Sequence, residues 1–301
     1  MRRDRSWNRT RGARAHVIAM LMSAAAAGTT HAQLPVLRAR SLDATAAVKI
    51  FNPAGSIRLV GWDRDSIVVQ GRIARGEHFF FGGSASGVKL GIEDATTSGD
   101  SHPSELVIYL PRASRISVKS ASANITGTDV SGWFYAVSGS VRLAGAATSI
   151  EAETMDGNID LDVAVPWVRA RTGSGSLTLR RAVADADLAT IAGTLSAVAS
   201  SVRRGRFSSV TGDIRMVGAP PPDALLELSN HDGAVDLLLP RDASGVFDLS
   251  AVTGTIDNAF AGASPTAGAA LRKRPLRVQL GNGGAHVTVR TFRGAIRLRS
   301  Q

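Results

Sequence analysis

Beyond the first thirty-two residues, the side chains able to do chemistry are few and scattered. The histidines stand at His78, His102, His231 and His286, with no His-x-x-x-His spacing and no cysteine in the chain, so the ligand spacings of a zinc site are missing. The run Asp156-Gly157-Asn158-Ile159-Asp160-Leu161-Asp162 has the carboxylate density of a calcium loop. Its glycine is misplaced for an EF-hand, however, and the nonapeptide calcium repeat is absent. It reads as polar outward positions on a strand. Gly173-Ser174-Gly175 brushes a nucleophile elbow, but no Gly-x-Ser-x-Gly with partner Asp and His follows. Neither it nor Gly281-Asn282-Gly283-Gly284 opens a helix, so neither makes a phosphate cradle. What remains is basic: Arg203, Arg204 and Arg206, then Arg272, Lys273 and Arg274 with Arg277. These groups suit anionic polymers or lipid head groups, and the alternative is a pair of solvated loops. No cofactor, metal or catalytic residue is expected.

The elements that must carry these side chains announce themselves through glycine. Gly139, Gly157, Gly175 and Gly193 are spaced 18 residues apart, and Gly212 follows after 19. Alternating apolar or small residues lead in at −7, −5 and −3, and apolar residues follow at +2 and +4. Around Gly157 these are Ile150, Ala152 and Thr154, then Ile159 and Leu161; around Gly175 they are Val168, Ala170 and Thr172, then Leu177 and Leu179. A period of two within each phrase predicts strands, and the longer period predicts stacked coils. The fold class expected is all-β: one solenoid of coils of 18–21 residues, with hairpins at the ends. The glycine is assigned to a sharp corner with positive φ. Thr154, Thr172, Thr190, Ser209 and Asn230 fill the −3 column, where they can bond to each other and to the corner backbone. One coil buries too little to offset the entropy of ordering it, so neighbours must stack.

Charges test the register. In a stacked solenoid each residue lies about 4.8 Å from the residue one repeat later, so outward positions should avoid like charges. Eighteen residues separate Arg142 from Asp160, Glu151 from Arg169, Glu153 from Arg171 and Asp162 from Arg180. The −6 column reads Glu151, Arg169, Asp187, Arg206, Glu227, Asp248, alternating until its last step. The +3 column ends Arg215, Asp236, Asp257, also on a like pair.

Residues 1–32 read as a signal peptide. Six arginines lie between Arg2 and Arg14, an apolar run too short for a bilayer spans Val17 to Gly28, and Thr30-His31-Ala32 places small residues before Gln33. An uncleaved anchor is the alternative. Without this segment, 29 basic and 24 acidic residues remain, a net +5 in place of +10, which argues against a nucleic-acid partner. No transmembrane helix is expected after the signal, and export without cysteines is permissible.

Residues 33–301 are assigned to the solenoid: first strands and a hairpin insertion over 41–110, regular coils over 111–258, a loop over 259–275 and closing strands over 276–301. Phe79-Phe80-Phe81 is read as a cap over the open end of the core, or else as an exposed contact. Coils lengthen to 21 residues at Gly233 and Gly254, with Pro220-Pro221-Pro222 as a looped corner. The interval of 11 between Gly283 and Gly294 predicts a plain hairpin at the end of the stack.

Asn52-Pro53-Ala54-Gly55-Ser56-Ile57, Gly61-Trp62-Asp63, Leu110-Pro111, the Gly-x-Ile/Val/Leu coils, Gly281-Asn282-Gly283-Gly284 and Thr291-Phe292-Arg293-Gly294-Ala295-Ile296 together resemble the bacterial putative-adhesin family over about residues 45–300. That family is a domain of unknown function, expected to be a β-solenoid. The resemblance implies an exported or envelope protein and supplies no catalytic residue. The reading that follows is a non-enzymatic exported interaction or scaffold module. Its partner would be an envelope protein, a polysaccharide or an anionic lipid surface, and self-association through the solenoid ends is open to it. The alternative is a polysaccharide-active enzyme on a parallel β-helix, which three or more carboxylates converging in one groove would favour.

Overall fold

Alternating sequence makes strands and nothing else: among the described residues there are 25 strands and no helix. The structure, a computed structural model, describes residues 33–94, 102–181, 183–260 and 275–301. The chain opens with β1 (Gln33–Ser41), β2 (Ala47–Phe51), β3 (Gly55–Trp62), β4 (Ser66–Ala74), β5 (Glu77–Ser84), β6 (Gly87–Asp94) and β7 (Ser104–Pro111). The regular coils supply β8 (Arg115–Ser120), β9 (Asn124–Thr128), β10 (Ser131–Ala136), β11 (Val141–Ala146), β12 (Ile150–Thr154), β13 (Ile159–Thr172), β14 (Leu177–Arg181), β15 (Val183–Thr190), β16 (Leu195–Ser200), β17 (Arg204–Ser209) and β18 (Ile214–Val217). The last are β19 (Leu225–Asn230), β20 (Val235–Leu239), β21 (Gly245–Ala251), β22 (Ile256–Asn258), β23 (Leu276–Leu280), β24 (Ala285–Thr291) and β25 (Ile296–Ser300).

Each regular coil lays one strand in each of two parallel sheets. The first sheet runs β1-β4-β7-β3-β9-β11-β13-β14-β16-β18-β20-β25-β22. The second runs β5-β6-β2-β8-β10-β12-β13-β15-β17-β19-β24-β21-β23. β13 belongs to both, because its first residues pair with β14 and its last with β15. Inward residues such as Ile150, Ala152, Ile159 and Leu161 are fully buried and fill the space between the sheets. Where a core phenylalanine appears, a glycine precedes it by two. The ring of Phe207 occupies the space a side chain at Gly205 would need, and Phe247 does the same for Gly245.

The predicted register holds residue for residue: Glu151 faces Arg169, Glu153 faces Arg171, Arg142 faces Asp160 and Asp162 faces Arg180. The −3 ladder forms as expected. The Thr154 hydroxyl donates to the Gly157 carbonyl at 2.6 Å, Thr172 donates to the same carbonyl at 2.9 Å, and Asn230 Nδ2 donates to Gly212 at 2.8 Å. In return the amides of Gly175, Gly193 and Gly212 donate to Thr172, Thr190 and Ser209 at 3.0–3.1 Å.

Two expectations need correction. The corner glycines of the regular coils, Gly139, Gly157, Gly175, Gly193 and Gly212, are not in the positive-φ region, although Gly55, at the same place in the first repeat phrase, is. Their requirement is space. A Cβ on Gly157, Gly175, Gly193 or Gly212 would overlap the carbonyl oxygen of the glycine one coil earlier. The second correction concerns the closing strands. β23 and β24 do not form a plain hairpin, because β21 lies between them, antiparallel to β23 and parallel to β24. β24 and β25 make a last coil inserted between the coils of Gly233 and Gly254. This removes both like-charge steps, since Thr288 separates Glu227 from Asp248 and Arg297 separates Asp236 from Asp257.

Antiparallel strands close the stack. The β5–β6 hairpin pairs with β2 at one end and β23 pairs with β21 at the other. Phe79 and Phe81 of β5 pack partly against the core, as a cap requires.

The glycine column makes a measurable claim. Gly175→Ala should destabilise by about 1–3 kcal/mol or more, as overpacking against a backbone does. Gly82→Ala, where an added Cβ meets nothing within 4 Å, should change stability by less than about 0.5 kcal/mol. Thermal melts of the two variants check the difference.

Candidate functional site

The outer faces of both sheets carry one side chain per coil in each column, so a long column of like charge would repel itself. Arginine and carboxylate alternate instead. Arg142 reaches Asp160 at 3.6 Å, while Arg169 lies between Glu151 and Asp187 at 3.5 and 3.6 Å. Some partners are offset from strict register: Arg180 takes Asp160 at 2.5 Å, Arg181 takes Asp162 at 2.6 Å, and Arg171 turns to Asp187 at 3.5 Å. Such exposed pairs fix geometry more than they stabilise.

On the second sheet these columns wall an open groove of about 660 Å³ across β13, β15, β17, β19 and β24. One column reads Trp167, Asp185, Arg204, Leu225, His286, and the next reads Asp187, Arg206, Glu227, Thr288. Trp167 and Leu225 are 40% and 59% exposed, leaving apolar surface between charged rungs. Arg204 grips Asp185 with both prongs, Nε to Oδ1 at 2.5 Å and Nη2 to Oδ2 at 2.8 Å. Glu227 is shared by Arg206 at 3.5 Å and Arg290 at 3.4 Å.

The groove therefore gathers three carboxylates, Asp185, Asp187 and Glu227, the arrangement that would favour an enzyme. Each is closed by arginine. Glycoside hydrolysis needs one carboxyl held protonated near neutrality, and Asp185 is displaced the other way. Its hydrogen bond from Arg204 holds it below the usual aspartate value, with the charges of Arg204 and Arg203 adding to the effect, and the same contact raises Arg204. Among the described residues no three His, Asp or Glu side chains converge as metal ligands would.

Of the arginines singled out in the sequence, Arg204 and Arg206 line the groove and Arg203 lies exposed beside them. Arg277 sits on β23, 3.7 Å from Asp248, with β19, β24 and β21 between it and β17, so the two basic groups are not brought together. Arg272, Lys273 and Arg274 lie outside the described residues. Sequence reasoning missed Trp167, Leu225 and Arg290, and named His286 only as one of the scattered histidines. The first two could have been found as apolar residues at outward positions of the repeat; the others need the inserted last coil.

A second recess, of about 710 Å³, follows the glycine corner. There the −2 positions expose Met155, Ile191 and Val210, and Gly173 leaves a gap between the first two. Among the described residues no helix is long and apolar enough to cross a membrane.

Residues 43–299 match the model of the Toastrack DUF4097 family, and the chain belongs to that family. It is similar to a solved putative adhesin from Bacteroides fragilis at 12% identity and TM-score 0.46, covering 90% of this chain and 99% of that one. A putative adhesin from Parabacteroides distasonis is similar at 9% identity and TM-score 0.46, covering 89% and 98%. One from Parabacteroides merdae is similar at 10% and 0.43, covering 87% and 95%. No curated protein matches the chain.

The Asp185–Arg204 clamp predicts a titration. The Asp185 carboxyl should titrate below the usual value of about 3.9, and Arg204→Gln should raise it, as followed by carboxyl-carbon NMR. Because the folded value is depressed, the clamp's contribution to stability is present above about pH 4 and lost as pH falls through the folded value.

Proposed function

We propose that this chain is an exported, adhesin-like interaction module of the cell envelope, without enzymatic activity, that holds its partner in the groove of the second sheet. The observation that carries the reading is the division of labour in that groove. Its carboxylates are each tied to arginine, whereas Trp167 and Leu225 are left open to a partner. Exposed apolar side chains between satisfied ion pairs are the makings of a recognition surface. The arginine-rich, apolar start of the chain supports export, with residues 1–32 as the signal. An envelope polysaccharide, protein or anionic lipid surface fits this reading as partner.

Fractionation with N-terminal sequencing should find the protein outside the cytoplasm and beginning at Gln33. Trp167→Ala with Leu225→Ala should lower retention on envelope fragments about tenfold, with the melting temperature little changed. A chain keeping Met1 in the cytoplasm would contradict export. Release of new reducing ends from envelope polysaccharide, abolished by Asp185→Asn, would establish the enzyme instead.

A further inference from the structure

Elsewhere on these sheets a cation meets a carboxylate or a neutral residue one strand away. Lys49 of β2 and Lys89 of β6 break the pattern: they sit in direct register, the one place among the described residues where strand pairing sets cation against cation. Both are exposed, and neither has a carboxylate partner among the described residues. Parallel neighbours stand about 4.8 Å apart, where like charges directly opposite are unfavourable. Two more cations join them on the same face, Lys119 opposite Phe51 and Arg115 opposite Ala47. The chain has four lysines, Lys49, Lys89, Lys119 and Lys273, and three of them meet here.

Aromatic rings floor the patch. Phe51 and Phe80 flank Gly91, Trp133 lies beside Ser117 and Tyr135 beside Lys119. The Lys89 ammonium stands 5.1 Å over the Phe80 ring and that of Lys119 stands 5.3 Å over Trp133, which stacks on Tyr135 at 5.6 Å. Carboxylates stand at the margins: Glu151 and Glu153 one strand beyond Trp133 and Tyr135, Glu93 opposite His78 at the outer edge, and Asp43 in the turn that leads into β2. Glu151 is already paired with Arg169.

We propose that this face, across β6, β2, β8 and β10, binds an acidic polysaccharide. Its carboxylates settle between the ammonium groups of Lys49, Lys89 and Lys119 and relieve their repulsion. A sugar ring lies on Phe51, the exposed aromatic of the face. A polymer fits better than a bilayer, because membrane anchoring needs an apolar face pushed beyond the charges. Here Phe51 alone of the four aromatics is exposed, and ammonium groups stand over Phe80 and Trp133. The patch is separate from the groove, with β12 between β10 and β13, the strand that carries Trp167.

Polygalacturonate binding by the full chain, measured by calorimetry, tests the assignment. Binding should be present at low salt and weaken as salt rises. Lys49→Ser with Lys89→Ser should weaken it at least tenfold while leaving the melting temperature unchanged or higher. Trp167→Ala with Leu225→Ala should leave it unaltered, which keeps this site distinct from the groove. Equal binding of the double lysine variant, equal binding of uncharged dextran, or loss on the groove substitutions would each overturn the proposal. Binding of phosphatidylglycerol vesicles without polygalacturonate binding would overturn it in favour of a membrane surface.

Discussion

A close backbone approach, repeated from coil to coil, governs the architecture. At each corner the carbonyl of one glycine presses against the α-carbon of the glycine one coil later, from Gly139 through Gly157, Gly175 and Gly193 to Gly212. No side chain fits there, so the coils stack in one register or they do not stack. The hydroxyl and amide column of Thr154, Thr172, Thr190, Ser209 and Asn230 locks the same corner from inside, each side chain serving glycine carbonyls or amides that the turn would leave unpaired. With these two columns fixed, alternation alone decides which residues enter the core and which face water.

That dependence explains how much of the molecule can be read from its residues. The spacing of the glycines and the period of two specify the coils, and the charge pairs Glu151/Arg169 and Arg142/Asp160 specify their alignment. Why glycine is needed is less legible, because close backbone approach and positive φ leave the same letter in the sequence. The place of the last coil is not legible from spacing, since Thr291 and Gly294 repeat the corner phrase wherever β24 and β25 insert. The departures from charge alternation at Glu227/Asp248 and Asp236/Asp257 were the available sign, because the inserted Thr288 and Arg297 relieve both. The groove was half legible for the same reason: Arg204 and Arg206 belong to the regular repeat, whereas His286 and Arg290 arrive with the insertion.

Charge order also separates what the fold needs from what it does not. Arginine and carboxylate alternate over the middle coils because a stacked column of one sign would repel itself. Against that background, surfaces that leave the rule unused carry the functional argument. Trp167 and Leu225 interrupt a column of ion pairs with exposed apolar surface, and Lys49 beside Lys89 interrupts another with repulsion. Neither feature helps the coils to stack, so both are available to a partner.

Because the chain has no cysteine, paired cysteines can report the stacking order without interference. Glu227→Cys with Thr288→Cys joins neighbouring strands, whose separation of about 4.8 Å lies within disulfide reach; Glu227→Cys with Asp248→Cys joins residues about twice as far apart, beyond it. Oxidation followed by mass spectrometry should find the first pair bridged and the second free. A bridge between 227 and 248 with none between 227 and 288 would contradict the inserted coil and the groove that it completes with His286 and Arg290.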